Sequence, residues 1–233
     1  MEVAIKGKDI VKEYRSGDGD SFFALNGVNI EIPKGKLAIL KGRSGSGKTT
    51  LLNILSTLDV PTKGEVLLEG ESIVGLSEKD KERLRRLSFG YVFQAVALIP
   101  VMNAYENVEF ALKLSGYKNP DKKEELTKTE KDERVKRVLS LVGMEERMKH
   151  FPGQLSGGEQ QRVAIARAMV HKPRVIFADE PTGALDTDMG IRVVKLFKSI
   201  IKEEQVTIVM TTHDPGLMEL GDVVFEMEDG RIR

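Results

Sequence analysis

Gly42-Arg43-Ser44-Gly45-Ser46-Gly47-Lys48-Thr49 fits the pattern G-x-x-x-x-G-K-[ST] of a phosphate-binding loop. Its flanks agree with that reading. Leu37-Ala38-Ile39-Leu40 is a short apolar run that reads as a buried strand, and Thr50-Leu51-Leu52-Asn53-Ile54-Leu55 reads as the first turns of a helix. Strand, glycine-rich loop and helix together are the context the motif requires. Gly42, Gly45 and Gly47 permit positive φ and let backbone N–H groups approach a polyphosphate. The helix start adds partial positive charge. Lys48 is placed to reach the β- and γ-phosphates, and the Thr49 hydroxyl is a candidate Mg²⁺ ligand.

Composition bounds the rest. The chain of 233 residues is long enough for one large domain with a subdomain. Its 36 basic and 36 acidic residues balance, so no global field argues for nucleic acid. No apolar run approaches the ~18 residues of a membrane span, and the start of the chain lacks a signal-peptide core. There is no Cys, which excludes disulfides and thiolate chemistry, and a cytoplasmic setting is the default expectation.

Upstream of the loop the pattern is β. Val3–Ile5, Ile10–Tyr14, Phe22–Leu25 and Val28–Ile32 are strand candidates, with a loop at Ser16-Gly17-Asp18-Gly19-Asp20 and a turn at Pro33-Lys34-Gly35. Tyr14 ends a strand, where an aromatic packs or stacks on a nucleobase. Downstream, Pro61-Thr62-Lys63-Gly64 is expected to end the first helix, and a strand follows at 65–70. Ser77 caps a charged helix to Arg86. Phe89–Phe93 is an apolar strand delivering Gln94 at its end, where ligand crevices lie in α/β sheets. Residues 95–150 show no strand signal. Asn103 starts a helix over Ala104–Leu114. The charge-rich block Lys118–Arg137 reads as a solvated surface, and Val135, Val138, Leu139 and Val142 form one apolar helical face. The expected organisation is an α/β core over 1–93 and 173–233, with a helical insert over 94–172.

Two further stretches carry chemistry. Ser156-Gly157-Gly158-Glu159 opens a helix with Ser156 as N-cap and an open backbone suited to an anion. Arg174–Glu180 is an apolar strand ending in two acids, which beside a phosphate loop have an evident use. Asp179 is the candidate metal-holding carboxylate and Glu180 the candidate base for a water in line with the γ-phosphate. Asp186 or Thr187 caps the next helix. Val206–Thr211 is a buried strand leading to His213, on the edge that carries Asp179 and Glu180, and Val223–Arg233 reads as a hairpin. His150 and His171 read as structural.

Taken together, these motifs resemble those of the ATP-binding cassette (ABC) ATPases, in the family's order and over nearly the whole chain. The resemblance implies a P-loop α/β core of mixed sheet with an N-terminal antiparallel β subdomain and an inserted helical subdomain. It implies ATP and Mg²⁺ as cofactors, with Gly42 to Thr50 around the phosphates and Tyr14 on the adenine. It implies that Gln94 approaches the metal and the attacking water, that His213 contacts the γ-phosphate, and that Glu180 is the catalytic carboxylate. Ser156, Gly157, Gly158 and Glu159 match the signature, which meets the ATP of a second copy, and Asp186 the acid at that dimer contact. The implied function is a Mg-dependent ATPase subunit, dimerising head to tail, that drives a separate integral-membrane permease from the cytoplasmic face. Gly153–Ala164 and Ala178–Asp186 resemble the lipoprotein-releasing, macrolide-exporter and antimicrobial-peptide-resistance branch, which implies export or extraction of a lipophilic or peptide substrate. Ala95-Val96-Ala97 departs from that branch on the surface that meets the membrane partner. Soluble ABC ATPases of DNA repair or ribosomes fit less well, because neither a coiled-coil insert nor a tandem cassette is present. A P-loop kinase fits less well because the signature is present and an Arg-rich lid is not.

Overall fold

In the computed structural model, which describes residues 2–15, 21–118, 124–183 and 185–233, the strands form two sheets. β1 (Val3–Arg15) and β2 (Ser21–Pro33) pair antiparallel. The stretches 6–9 and 26–27, which lie between the strand candidates, are bulged parts of continuous strands: the register shifts between Gly7 and Ile10, and Gly27 takes φ 73°. A bulge absorbs a residue of poor strand propensity without ending the pairing. The loop expected at 16–20 lies outside the described residues.

β3 (Leu37–Lys41) leads into the phosphate loop and α1 (Lys48–Leu55) follows it. The helix stops at Leu55, well before Pro61. The Ser56 hydroxyl donates to the Asn53 carbonyl and Thr57 turns left-handed at φ 60°, so local bonding ends the helix before the proline does. β4 (Lys63–Leu68) and the short β5 (Glu71–Ser72) complete an antiparallel sheet in the order β2-β1-β4-β5. α2 (Glu78–Ser88) starts at Ser77, whose side chain accepts from the Asp80 N–H as its spacing predicts. β6 (Phe89–Val92) is followed by the irregular stretch 93–103, then by α3 (Ala104–Ser115) and α4 (Lys128–Leu141), each opened by a capping box. α5 (Gly157–Met169), β7 (Val175–Ala178), α6 (Thr187–Glu204), β8 (Thr207–Thr212), β9 (Val223–Glu228) and β10 (Arg231–Ile232) follow.

The second sheet runs β10-β9-β3-β8-β7-β6, parallel from β9 to β6 with an antiparallel hairpin at β9–β10. Alternation along β3 explains its unbroken apolar run. Leu37 and Ile39 face a core built with α3, α4, α5 and α6, while Ala38 and Leu40 face a core shared with α1 and the antiparallel sheet. All four are fully buried.

One residue of the charged block departs from the expected solvated surface. Arg134 is buried; its guanidinium donates to the Val170 and Met169 carbonyls at 2.8 and 2.9 Å and pairs with buried Glu204 at 2.9 Å. It thus caps the C-terminal end of α5 and ties α4 to the end of α6. Its neighbours on the outer face of α4 keep to water, as the Lys136–Asp132 pair one turn apart shows.

Candidate active site

The loop between β3 and α1 has the backbone its glycines predict. Gly42, Gly45 and Gly47 take φ of 156°, 81° and 98°. Gly47 is the N-cap of α1, and a Cβ there would stand 2.5 Å from the Ala24 carbonyl oxygen. No side chain caps this helix and its first turn holds no acid, so no side chain of its own compensates its positive end. Lys48 is buried and donates to the Gly42 and Arg43 carbonyls at 2.8 and 2.9 Å, which holds its ammonium over the start of the loop. The Ser46 hydroxyl is buried without a partner. A cavity of about 970 Å³ opens on Gly42–Ser46, Glu180 and His213. The wall also holds Lys41, Arg43 and Arg233 and the acids Glu226, Glu228 and Asp229, and Lys48 is tied to two of its loop residues. A glycine loop at a helix start, an orphaned hydroxyl and these cations fit a polyphosphate.

The strand order assembles the rest of the site. β3, β8, β7 and β6 are consecutive and parallel, so the loop, His213, Asp179–Glu180 and the approach to Gln94 all leave the same edge of the sheet. The Asp179 Oδ1 accepts from the Thr49 hydroxyl at 3.1 Å across 130 residues of chain. It also accepts from the Thr211 hydroxyl at 2.7 Å, while the same Thr211 oxygen accepts from the Glu180 N–H at 2.8 Å. Thr211 is fully buried and thereby sets the spacing of both acids. In sequence Thr211 reads as one more residue of an apolar strand, and its hydroxyl near the end of β8 is the one signal it offers.

Glu180 adopts φ 42°, a left-handed conformation that costs a non-glycine residue about 1–2 kcal/mol. Its Oε2 stands 3.4 Å from His213 Nδ1. A Cβ built on Gly183 would lie 3.2 Å from the Gln94 amide nitrogen and 3.6 Å from Glu180 Oε2, so both side chains converge on Gly183. The arrangement gives a carboxylate, a carboxamide and an imidazole around the mouth of a phosphate cavity. Among the described residues, no group of three or more His, Cys, Asp or Glu could hold a metal alone. Thr49 and Asp179 therefore offer two hard oxygens, the partial set that Mg²⁺ takes when phosphates and water complete its shell.

The signature residues lie elsewhere. Ser156 caps α5 by accepting from the Glu159 N–H at 3.3 Å, and Glu159 Oε2 accepts from the Ser156 N–H and hydroxyl at 2.8 and 2.9 Å. The bond from the Ser156 backbone holds the Glu159 carboxyl below its ordinary range. Gly157 faces open space, and Gly158 abuts the Met189 methyl at the start of α6. None of the four lines the cavity at the loop. Asp186 caps α6, accepting from the Met189 N–H at 2.9 Å. Ala184 lies outside the described residues. Tyr14 does not line that cavity either; it is part-exposed, its hydroxyl bonded to Asp59 at 2.9 Å and close to Thr50, the residue that follows Thr49 on α1.

Comparison with known proteins agrees with this geometry. The profile of the ABC transporter family matches residues 25–183. The chain is 41% identical over 228 residues to the uncharacterized ABC transporter ATP-binding protein MJ1508 of Methanocaldococcus jannaschii, covering 98% of this chain and 97% of that one. It is 40% identical over 228 residues to the macrolide export ATP-binding/permease protein MacB of Syntrophobacter fumaroxidans, covering 98% of this chain and 31% of that longer one. The ATP-binding cassette MJ0796 of M. jannaschii, solved as a dimer in a post-hydrolysis state bound to ADP and Pi, superposes with a TM-score of 0.85 at 37% identity over 98% of this chain and 96% of that one. Motifs, sheet order and relatives converge on one assignment: the chain belongs to the ABC transporter family, as one of its ATP-binding ATPase cassettes.

Proposed function

We propose that the working unit is a head-to-tail pair of these chains that closes on two ATP molecules and drives a membrane permease. One observation carries this reading: bonds and close contacts gather Thr49, Asp179, Glu180, His213 and Gln94 beside the phosphate loop of one chain, while among the described residues no bond links Ser156–Glu159 to any of them. A two-fold operation lets each chain's signature helix cover the other's nucleotide. The dimeric form of the MJ0796 cassette and the fusion of cassette and permease implied by the MacB name support it.

In this reading Gly42–Thr50 and Lys48 hold the polyphosphate, and Tyr14 stacks on the base. Thr49 and Asp179, with Gln94 nearby, would hold Mg²⁺, which supplies charge neutralisation across the β- and γ-phosphates. Glu180 takes the proton of the attacking water, and His213, 3.4 Å from it, steadies the γ-phosphate side. Asp186 lies at the contact between copies. The helices over 94–172 form the subdomain that moves with Gln94 and meets the permease. Among the described residues no helix is long and apolar enough to cross a membrane. The placement proposed is cytoplasmic, on a membrane partner, with a lipophilic or peptide substrate exported or extracted; the macrolide export named for the MacB relative supports the export reading.

The test is Glu180→Gln. Turnover measured by phosphate release should fall about 10²- to 10⁴-fold, ATP affinity should persist, and the variant should elute as a dimer on size exclusion with ATP. Full turnover would overturn the role of Glu180; a monomer at high concentration with ATP bound would overturn the paired unit.

A further inference from the structure

A second cluster beside the loop takes no part in phosphate chemistry. Tyr14 pairs across the sheet with Phe22, their ring centroids 5.6 Å apart. The Tyr14 hydroxyl donates to Asp59 Oδ2 at 2.9 Å. The other Asp59 oxygen accepts from Lys12 Nζ at 2.6 Å and from the Val60 N–H at 2.7 Å. Lys12 also donates to the Val60 carbonyl at 2.8 Å, and its ammonium stands 5.0 Å from the centre of the Tyr14 ring. Lys12 and Tyr14 are two residues apart on β1 and so share a face. Asp59 is in turn fixed to the phosphate-loop helix, because its N–H donates to the Asn53 carbonyl at 3.1 Å. Partial burial works against the Asp59 carboxylate, yet hydrogen bonds from Lys12, Val60 and Tyr14 hold it below the ordinary carboxylate value.

We propose that Asp59 is a positioning residue for nucleobase affinity: held in place by Lys12, it indexes the Tyr14 ring to the phosphate-loop helix. This rests on the reading of Tyr14 as the base-stacking residue. The physical argument is preorganisation. A tyrosine at a strand end with 36% of its surface exposed would otherwise turn about its side-chain bonds, and a base binding to it would have to stop that motion. Anchoring the hydroxyl to Asp59 fixes the ring plane before the nucleotide arrives. The anchor and the loop hang from the two ends of the same short helix α1, so the distance from base platform to phosphate cradle is set by one rigid element.

The test separates base from phosphate. Binding of ATP and of inorganic tripolyphosphate is measured by titration calorimetry on the full chain and on Asp59→Ala, Asp59→Asn, Tyr14→Phe and Tyr14→Ala. Asp59→Ala should weaken ATP about fivefold, a part of the ~1–3 kcal/mol of a base–aromatic stack, and leave tripolyphosphate unchanged. Tyr14→Phe, which keeps the ring and removes the hydroxyl, should match it. Asp59→Asn, which keeps an acceptor for that hydroxyl, should recover part of the loss. Equal weakening of both ligands would show that Asp59 merely supports the loop, and would overturn the proposal. So would unchanged ATP affinity in Asp59→Ala while Tyr14→Ala weakens ATP, with the stacking role left standing. Unchanged ATP affinity in Tyr14→Ala would remove the stacking role and this inference with it.

Discussion

Two helices of this protein begin at glycines and are suited to phosphate, and they begin in opposite ways. α1 starts from Gly47 in a left-handed conformation, with no side-chain cap and no acid in its first turn. α5 starts from Ser156 in an extended conformation, with a complete capping box and Glu159 in its first turn. The first leaves its N–H groups and positive end to an external anion; the second satisfies part of its own end with its own carboxylate. The difference fits the division of labour proposed for them. The loop is a full receptor within one chain. The signature end completes its own cap and leaves Gly157 in open space, which suits the part proposed for it, adding to a nucleotide held by another copy.

Three substitutions can break or sharpen that contrast. The largest effect is expected from Arg134→Met at the far end of α5. It leaves Glu204 buried without its main partner and uncaps the Met169 and Val170 carbonyls, for a loss of about 3–5 kcal/mol in denaturant unfolding. Adding Glu204→Leu should restore much of that stability. If the single variant unfolds like the parent, the α5 anchor is not where the structure places it. Next is Gly47→Ala. The positive φ and the 2.5 Å approach to the Ala24 carbonyl leave no room for a methyl, and the cost should be about 2 kcal/mol with a marked loss of ATP affinity. A variant that binds ATP like the parent would show the loop backbone can relax. The smallest effect is expected from Ser156→Ala, about 1 kcal/mol for a lost cap. In a Glu180→Gln background it should reduce the ATP-dependent dimer peak and leave the ATP affinity of the monomer unchanged. Weakened monomer affinity would place the signature in its own chain's site and undo the contrast.

The parts of the site that were legible are those whose chemistry lies in contiguous residues. The loop glycines, Lys48, the Ser156 cap and the acid pair Asp179–Glu180 all declare themselves by local spacing, and each sits where its local pattern requires. Thr211, Asp59 and Arg134 were silent for the opposite reason. Each acts on a partner 32, 45 or 70 residues away, and an ordinary strand threonine, a turn aspartate and one arginine in a charged block look alike until that partner is known. Pro61 marks a later end for α1 than the left-handed Thr57 sets, and the continuity of β1 and β2 depends on bulged pairing that the strand candidates do not contain.

Sequence alone determined the phosphate loop, the capped signature helix, the acid-tipped strand and the family to which they belong. It did so because glycine freedom, capping and apolar periodicity are local properties of a few neighbouring residues. Tertiary structure alone decided the rest. The order β3-β8-β7-β6 brings Thr49, Thr211, Asp179, Glu180, Gln94 and His213 to one edge, and leaves Ser156–Glu159 outside that cavity. Strand neighbours are chosen by burying both faces of a sheet between two cores, a global condition that no short stretch of chain contains.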